Sequence, residues 1–178
     1  MLTKLANDVA LDCGKQAVAL VRISSVLDPP ADKINQVRKI AVQLVRNAVA
    51  HGVEDPATRL AAGKSAPGQL NVNLTRDEAG EWQLSVRDDG GGLNAARTRQ
   101  KLIDPSWYTP SQLESFSDKQ IVSHIFKPGF STADSAGKHA GRGVGLDVVQ
   151  SHVQNMGARL LLPVVPNQYT EFKVRFSP

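Results

Sequence analysis

The sequence predicts an α/β fold, a two-layer sandwich in which a mixed, mostly antiparallel sheet of about five strands packs on helices. Three observations support this prediction. Apolar residues recur every three or four positions between residues 34 and 49, which is the period of an amphipathic helix. Apolar and polar residues alternate at 70–74 and 82–86, as they do in half-buried strands. Helices and strands are grouped instead of strictly alternating, which favours a mixed sheet with helices on one face.

The N-terminal half contains two predicted helices and one strand. Residues 3–13 have helical character and meet Gly14, which is a typical helix stop, and residues 17–23 then indicate a strand. A long amphipathic helix begins at Ile34 and is expected to end at Gly52. Its length makes it the main candidate to cover the sheet.

The C-terminal half supplies the remaining strands and a third long helix. Turn-forming residues 77–80 separate the two alternating runs, so these runs predict an antiparallel hairpin. The helix is indicated by apolar residues at helical spacing from Leu146 to Met156. Residues 158–165 and 171–176 are two further strand-like runs.

Composition sets bounds on the class of protein. The 178 residues, 41% of them hydrophobic and 21% charged, predict one domain spanning 1–178. Cys13 is the single cysteine and no apolar run approaches the ~20 residues that span a bilayer, so a reduced, cytoplasmic protein without membrane insertion is expected. The net charge of +4 favours an anionic ligand, while the absence of a basic run with aromatic residues argues against nucleic-acid binding.

Three groups of residues carry chemistry. Gln43, Asn47 and His51 stand four apart and share one face of the long helix, and an amide oxygen such as that of Asn47 suits Mg²⁺. Asp88 ends a predicted strand and is followed by Gly90 and Gly92, so it can accept a hydrogen bond from an exocyclic amine such as that of adenine. Taken separately, the first group is equally compatible with a solvated helix face and the second with a simple turn.

The third group is the glycine run GRGVG at residues 141–145, which leads directly into a helix. Backbone without Cβ atoms closes tightly on a ligand, and the free N–H groups of a first helical turn favour an anion such as phosphate. A capping turn without a ligand is the alternative for this run alone.

Together, these groups resemble the ATP-binding superfamily (HATPase_c, GHKL, Bergerat fold) that includes histidine kinases, DNA gyrase, the ninety-kilodalton heat-shock chaperone and MutL. Within it, four ordered motifs resemble the ATP-binding catalytic domain of CheA-like chemotaxis histidine kinases. They are LVRNAVAHGVE (44–54), VRDDGGGL (86–93), FKPGFST (126–132) and GRGVGLDVV (141–149).

The resemblance implies ATP and Mg²⁺ as cofactors and a role for each matching residue. Asn47 would be the Mg²⁺ ligand, His51 would lie near the phosphates, and Thr170 would support the adenine-binding Asp88. A lid over ATP would span about 97–140. The full set of implied cofactor-binding residues is Asp88, Gly90, Gly92, Phe130, Ser131, Thr132, Gly141, Arg142, Gly143, Val144, Gly145, Leu146 and Thr170.

The implied activity is transfer of the ATP γ-phosphoryl to a histidine on a separate phosphotransfer domain, in trans or elsewhere in a longer chain that also carries dimerisation and receptor-coupling domains. Gln43 stands where many relatives have an acid or a histidine, and a glutamine cannot act as a general base. The absence of a base argues most against an ATPase or a serine kinase, because water and serine benefit from removal of a proton. A neutral histidine acceptor already offers a lone pair. Gly91 and Tyr169 also depart from the family pattern, and a nucleotide-sensing regulatory module therefore remains the alternative.

Other patterns fail. Gly63, Lys64 and Ser65 look like the end of a P-loop, but the glycine required five residues before Gly63 is Thr58. His124 and His152 lie within amphipathic patterns and are expected to serve in packing.

Overall fold

A computed structural model of the chain describes residues 1–23, 29–103, 107–127, 130, 145–165 and 168–178. The described helices are α1 (Leu2–Asp12), α2 (Ile34–Asn47), α3 (Pro56–Ala61), α4 (Ala95–Leu102), α5 (Pro110–Glu114), α6 (Asp118–Ser123) and α7 (Leu146–Asn155). A π-helical turn (Ala48–Gly52) continues α2, and a 3₁₀ turn (His124–Phe126) continues α6. The described strands are β1 (Ala17–Ile23), β2 (Gly68–Arg76), β3 (Trp82–Asp88), β4 (Arg159–Leu161), β5 (Val164–Val165) and β6 (Tyr169–Phe176).

The described strands form one sheet in the order β1-β2-β3-β6-β4, with β5 paired to β6. β1 runs parallel to β2 and the other pairs are antiparallel. This confirms the predicted mixed, mostly antiparallel sheet and the predicted hairpin. The register places Asp88 of β3 between Leu70 of β2 and Thr170 of β6.

One face of the sheet is covered by helices, and the core lies between the two layers. Alternate residues of the central strands are buried, and the Trp82 and Phe176 rings stack at 6.3 Å. The helices contribute their apolar stripes, including Ile40 and Leu44 of α2 and Val149 of α7, all fully buried. Sequence periodicity therefore predicted the two layers and their facing surfaces correctly.

Residues 95–126 contain more regular structure than the sequence interpretation assigned to them. α4, α5 and α6 surround a second small core made by Leu102, Leu113 and Ile121. Capping boxes begin α5 at Thr109 and α6 at Ser117, where N3 glutamines reach back to the cap residues. The first part of the predicted lid segment is thus largely helical, while residues 131–140 lie outside the described residues.

The predicted strand at 158–165 is corrected by the structure. It is divided into β4 and β5, which are separated by Leu162 and Pro163. Proline has no backbone N–H to donate to a sheet, which accounts for the interruption. None of the helices in the described ranges has the length and apolar character needed to cross a membrane.

Candidate functional site

The centre of the candidate site is the carboxylate of Asp88. In β3 the residues Leu84, Val86 and Asp88 alternate onto the buried side of the sheet, so the carboxylate points into the helix-facing layer where a core side chain would otherwise lie. Asp88 is only 2% exposed, and its Oδ1 accepts a hydrogen bond of 3.0 Å from the backbone N–H of Gly90. The alternation of β3 therefore places a buried acid between the sheet and the helices.

Glycine backbone surrounds this carboxylate on two sides. A Cβ atom on Gly52 would lie 2.8 Å from both Asp88 oxygens, and one on Gly90 would lie 2.0 Å from the Gly52 carbonyl oxygen. The backbone N–H of Gly91 donates to that same carbonyl at 3.4 Å, and Gly92 has a φ of +70°, in the left-handed region. Side chains at Gly52 or Gly90 would collide with the carboxylate, and one at Gly90 would also collide with the Gly52 carbonyl oxygen.

Gly52 is a site residue that sequence reasoning missed. The sequence interpretation treated it only as the end of the long helix. Its position directly after His51 in the motif LVRNAVAHGVE could have indicated a role in the site. Only the fold shows that Asp88 lies against Gly52.

Burial governs the charge state of Asp88. Desolvation, together with the negative charges of Asp89 and Glu54, raises the pKa of this carboxyl to about 7. The backbone N–H groups of Gly90 and Thr170 lower it. The predicted support of Asp88 by Thr170 therefore corresponds to a strand pairing and a contribution from the threonine backbone.

The second part of the site is the end of the long helix, where α geometry changes to π geometry. The backbone N–H of Val53 donates to Ala48, five residues earlier, at 2.8 Å. Lys15 supports this turn, since its ammonium group donates to the carbonyls of Val49 at 3.1 Å and Ala50 at 2.7 Å. π-helical turns occur frequently at functional sites.

The three helix residues that sequence analysis placed on one face differ in their surroundings. Gln43 is buried, and Asn47 is the last residue of α2, with a buried amide nitrogen that has no hydrogen-bond partner among the described residues. His51 lies within the π turn that follows Asn47. The shared face of the three residues stays a prediction.

His51 is accessible to solvent, and neighbouring atoms partly desolvate its imidazole. Desolvation by neighbouring atoms lowers the pKa of His51, and the positive charge of Lys15 lowers it further. The neutral form of His51 is therefore favoured at neutral pH.

The remaining predicted residues are divided between described and undescribed parts of the chain. The Phe130 ring contacts Trp107 edge-to-face at 5.8 Å, Gly145 is the N-cap of α7, and Leu146 is the first residue of α7. The predicted cofactor residues outside the described ranges are Ser131, Thr132, Gly141, Arg142, Gly143 and Val144.

A buried carboxylate at a strand end, glycine backbone against it and a helix end beside it are typical of an α/β sandwich that binds a nucleotide between its sheet and its helices. Residues 32–178 match the family described as histidine kinase-, DNA gyrase B- and HSP90-like ATPase. The chain belongs to this ATPase family.

Within the family, the similar proteins include several chemotaxis proteins named CheA. Chemotaxis protein CheA of Rhizobium meliloti is 32% identical over 171 residues, which cover 96% of this chain and 22% of that protein. Chemotaxis protein CheA of Klebsiella aerogenes is 38% identical over 157 residues, covering 88% of this chain and 23% of that protein. The CheA-like assignment is therefore confirmed, and the chain spans about a fifth of the length of these relatives.

A solved structure supports the fold. Full-length ShkA in complex with AMPPNP superposes with a TM-score of 0.59 at 20% identity, over 98% of this chain and 28% of that one. This likeness shows that the two proteins share the two-layer sandwich.

The raised pKa of Asp88 predicts a pH-dependent stability. Its folded-state pKa of about 7 lies above the ordinary 3.8, so this carboxyl stabilises the fold fully below about pH 4, and that contribution is lost as pH rises through 7. Asp88→Asn removes this loss. Relative to the native chain, the variant should gain on the order of 2–4 kcal/mol of unfolding free energy between pH 5 and pH 8, measured by urea denaturation. An equal difference at both pH values, or a similar gain for the exposed control Asp8→Asn, would contradict this account.

The approach of Gly52 to Asp88 predicts a sharp difference between two glycines. Gly52→Ala should destabilise the fold by about 1–3 kcal/mol, because the new methyl group displaces the carboxylate. Gly91→Ala is the matched control, since its Cβ would lie 3.6 Å from Glu54 Oε1, an ordinary contact. Thermal unfolding of both variants tests this, and equal melting temperatures would show that the space beside Asp88 is not restricted.

Proposed function

We propose that the domain binds ATP with Mg²⁺ and transfers the γ-phosphoryl group to a histidine on a separate phosphotransfer domain. The observation that carries this proposal is the buried Asp88 carboxylate with glycine backbone against it. A carboxylate in such a place accepts a hydrogen bond from an exocyclic amine, and Gly52 and Gly90 let two backbone segments close against it without side chains. The carboxylate therefore fits the exocyclic amine of adenine.

The end of α2 fits the metal and the phosphates. The Asn47 amide offers a hard oxygen donor, which suits Mg²⁺, and its buried nitrogen has no hydrogen-bond partner in the described parts of the chain. Mg²⁺, when bound, supplies neutralisation of charge on the phosphates. Asn47 would hold the metal, and His51 and the N-terminus of α7 at Gly145 would line the phosphate side.

The residues of α2 favour catalysis by alignment of the acceptor with ATP over catalysis by a general base. Gln43 is a buried amide and cannot remove a proton, whereas a neutral histidine acceptor presents its lone pair without a base. Transfer to histidine therefore needs positioning and charge stabilisation, which this site supplies from fixed backbone and amide groups. A histidine acceptor is therefore favoured over a serine acceptor or water.

The acceptor is proposed to lie outside this domain. His124 is buried, with Nδ1 donating to the Gln120 carbonyl at 2.7 Å and Nε2 accepting from the Tyr108 hydroxyl at 3.0 Å. Both ring nitrogens therefore form hydrogen bonds within the domain. The CheA relatives extend far beyond the matched region, which leaves room for phosphotransfer, dimerisation and receptor-coupling domains. We place the domain in the cytoplasm, with residues 97–140 serving as the ATP lid.

Transfer to a partner tests this proposal directly. Incubation with labelled ATP, Mg²⁺ and the phosphotransfer domain of a CheA relative should place acid-labile label on that domain. Asn47→Ala should lower the Mg²⁺-dependent rate on the order of 100-fold, while ADP measured without Mg²⁺ still binds. Asp88→Asn should abolish ADP binding in calorimetry.

Asn35→Ala is the matched control, since Asn35 is exposed on the same helix. Nucleotide binding without transfer would support the regulatory alternative. Acid-stable label on serine would show that the acceptor assignment is wrong.

A further inference from the structure

We propose that Glu54, Arg59 and Lys64 are positioning residues for nucleotide binding. They form a charged clamp, defined as these three side chains with Asp89, that holds the strand-end segment carrying Asp88 against the end of the long helix. The inference rests on the proposed nucleotide site and assigns a role to Lys64, which the failed P-loop pattern left unexplained.

Arg59 of α3 is the central donor of the clamp. Its side chain is 0% exposed, and its Nη2 donates to Asp89 Oδ2 at 2.9 Å. Nη1 donates to Glu54 Oε2 at 3.0 Å, and Nε donates to the Ser65 carbonyl at 2.8 Å. A planar guanidinium therefore fixes two acids from separate segments at once.

Lys64 closes the clamp from the other side. Its Nζ donates to Glu54 Oε1 at 2.9 Å and to the carbonyl oxygens of Asp89 and Gly90, both at 3.0 Å. All three ammonium hydrogens are thereby used, two of them on the backbone that directly follows Asp88. Lys64 thus controls the path of the loop as well as its charge.

The neighbouring acids Asp88 and Asp89 point to opposite sides of the chain. Its Oδ1 accepts from the backbone N–H of Gln69 at 2.9 Å and its Oδ2 accepts from Arg59, so it faces β2 and α3. Asp88 faces the helix layer. Fixing Asp89 on one side of the chain fixes the direction in which Asp88 points on the other.

The clamp joins the two segments that form the proposed site. Glu54 lies two residues after Gly52, whose backbone contacts the Asp88 carboxylate, and Gly90 lies two residues after Asp88. The clamp contains two cations and two carboxylates, so their charges balance. Three of the four side chains are partly exposed, and ion pairs of this kind contribute little net stability, which favours a geometric role. Displacement of a binding group by about 1 Å is enough to cost a large factor in function.

Calorimetry with ADP in the absence of Mg²⁺ tests the clamp. Lys64→Met should weaken ADP binding at least tenfold, and the side chain's 25% exposure makes the fold tolerant of this change. Lys64→Arg should restore affinity to within about threefold, because a cation again reaches Glu54 and the loop carbonyls. Lys4→Met, on an exposed position of α1, is the charge-matched control and should bind normally. The gain in affinity from adding Mg²⁺ should be unchanged in all of them.

The pH dependence of ADP binding separates positioning from general loosening. The groups that act on Asp88 are the acids Asp89 and Glu54, which raise its pKa, and the backbone N–H groups of Gly90 and Thr170, which lower it. Lys64→Met leaves Glu54 less compensated and should move the binding midpoint to higher pH. Glu54→Gln should also weaken binding but move the midpoint to lower pH.

Native-like ADP affinity in folded Lys64→Met would overturn the clamp while leaving the nucleotide site intact. Equal losses with an unmoved pH midpoint in both variants would also overturn it, since they would indicate a merely structural role. Failure of the native chain to bind ADP would instead overturn the proposed function.

Discussion

The burial of the Asp88 carboxylate is the constraint on which the rest of the site depends. An acid at the end of β3 is turned toward the helix layer by strand alternation, where it loses most of its contact with water. Its neighbours must then approach it without side chains, as Gly52 and Gly90 do, and the backbone N–H of Gly90 donates a hydrogen bond to it. This arrangement lowers the stability of the domain at neutral pH, because burial disfavours the charged form of the carboxyl.

Sequence reasoning predicted the features that periodicity and motif spacing determine. The alternation in 82–88 identified a strand ending in Asp88, and the three-and-four spacing from Ile34 identified the helix that carries Asn47. These patterns reflect burial on one face, which a sequence records directly. The turn at 77–80 identified the hairpin that pairs β2 with β3, whereas the register became known only from the structure.

Other features depend on contacts between distant segments, which no local pattern records. The π turn is a small change in hydrogen bonding, supported by Lys15 from more than thirty residues away. The clamp required Arg59 to meet Asp89 across thirty residues, and a buried arginine has no signature of its own in a sequence. The short helices α5 and α6 did have local signals, since their capping boxes at Thr109 and Ser117 were present in the sequence. The two helices were not predicted, because the whole region was assigned to a lid and their small core is separate from the main one.

The π turn at Ala48–Gly52 also has a consequence for how the sequence tolerates changes in length. A π turn is equivalent to one extra residue inserted into an α-helix, and one residue accounts for about 100° of helical rotation. Deleting a single residue between 48 and 51 would allow α geometry to continue and would rotate His51 relative to Asn47 and the preceding helix. The chain beyond it, including the backbone that meets Asp88, would then arrive at the sheet in a different orientation. At this point the number of residues matters to the site as much as their identity.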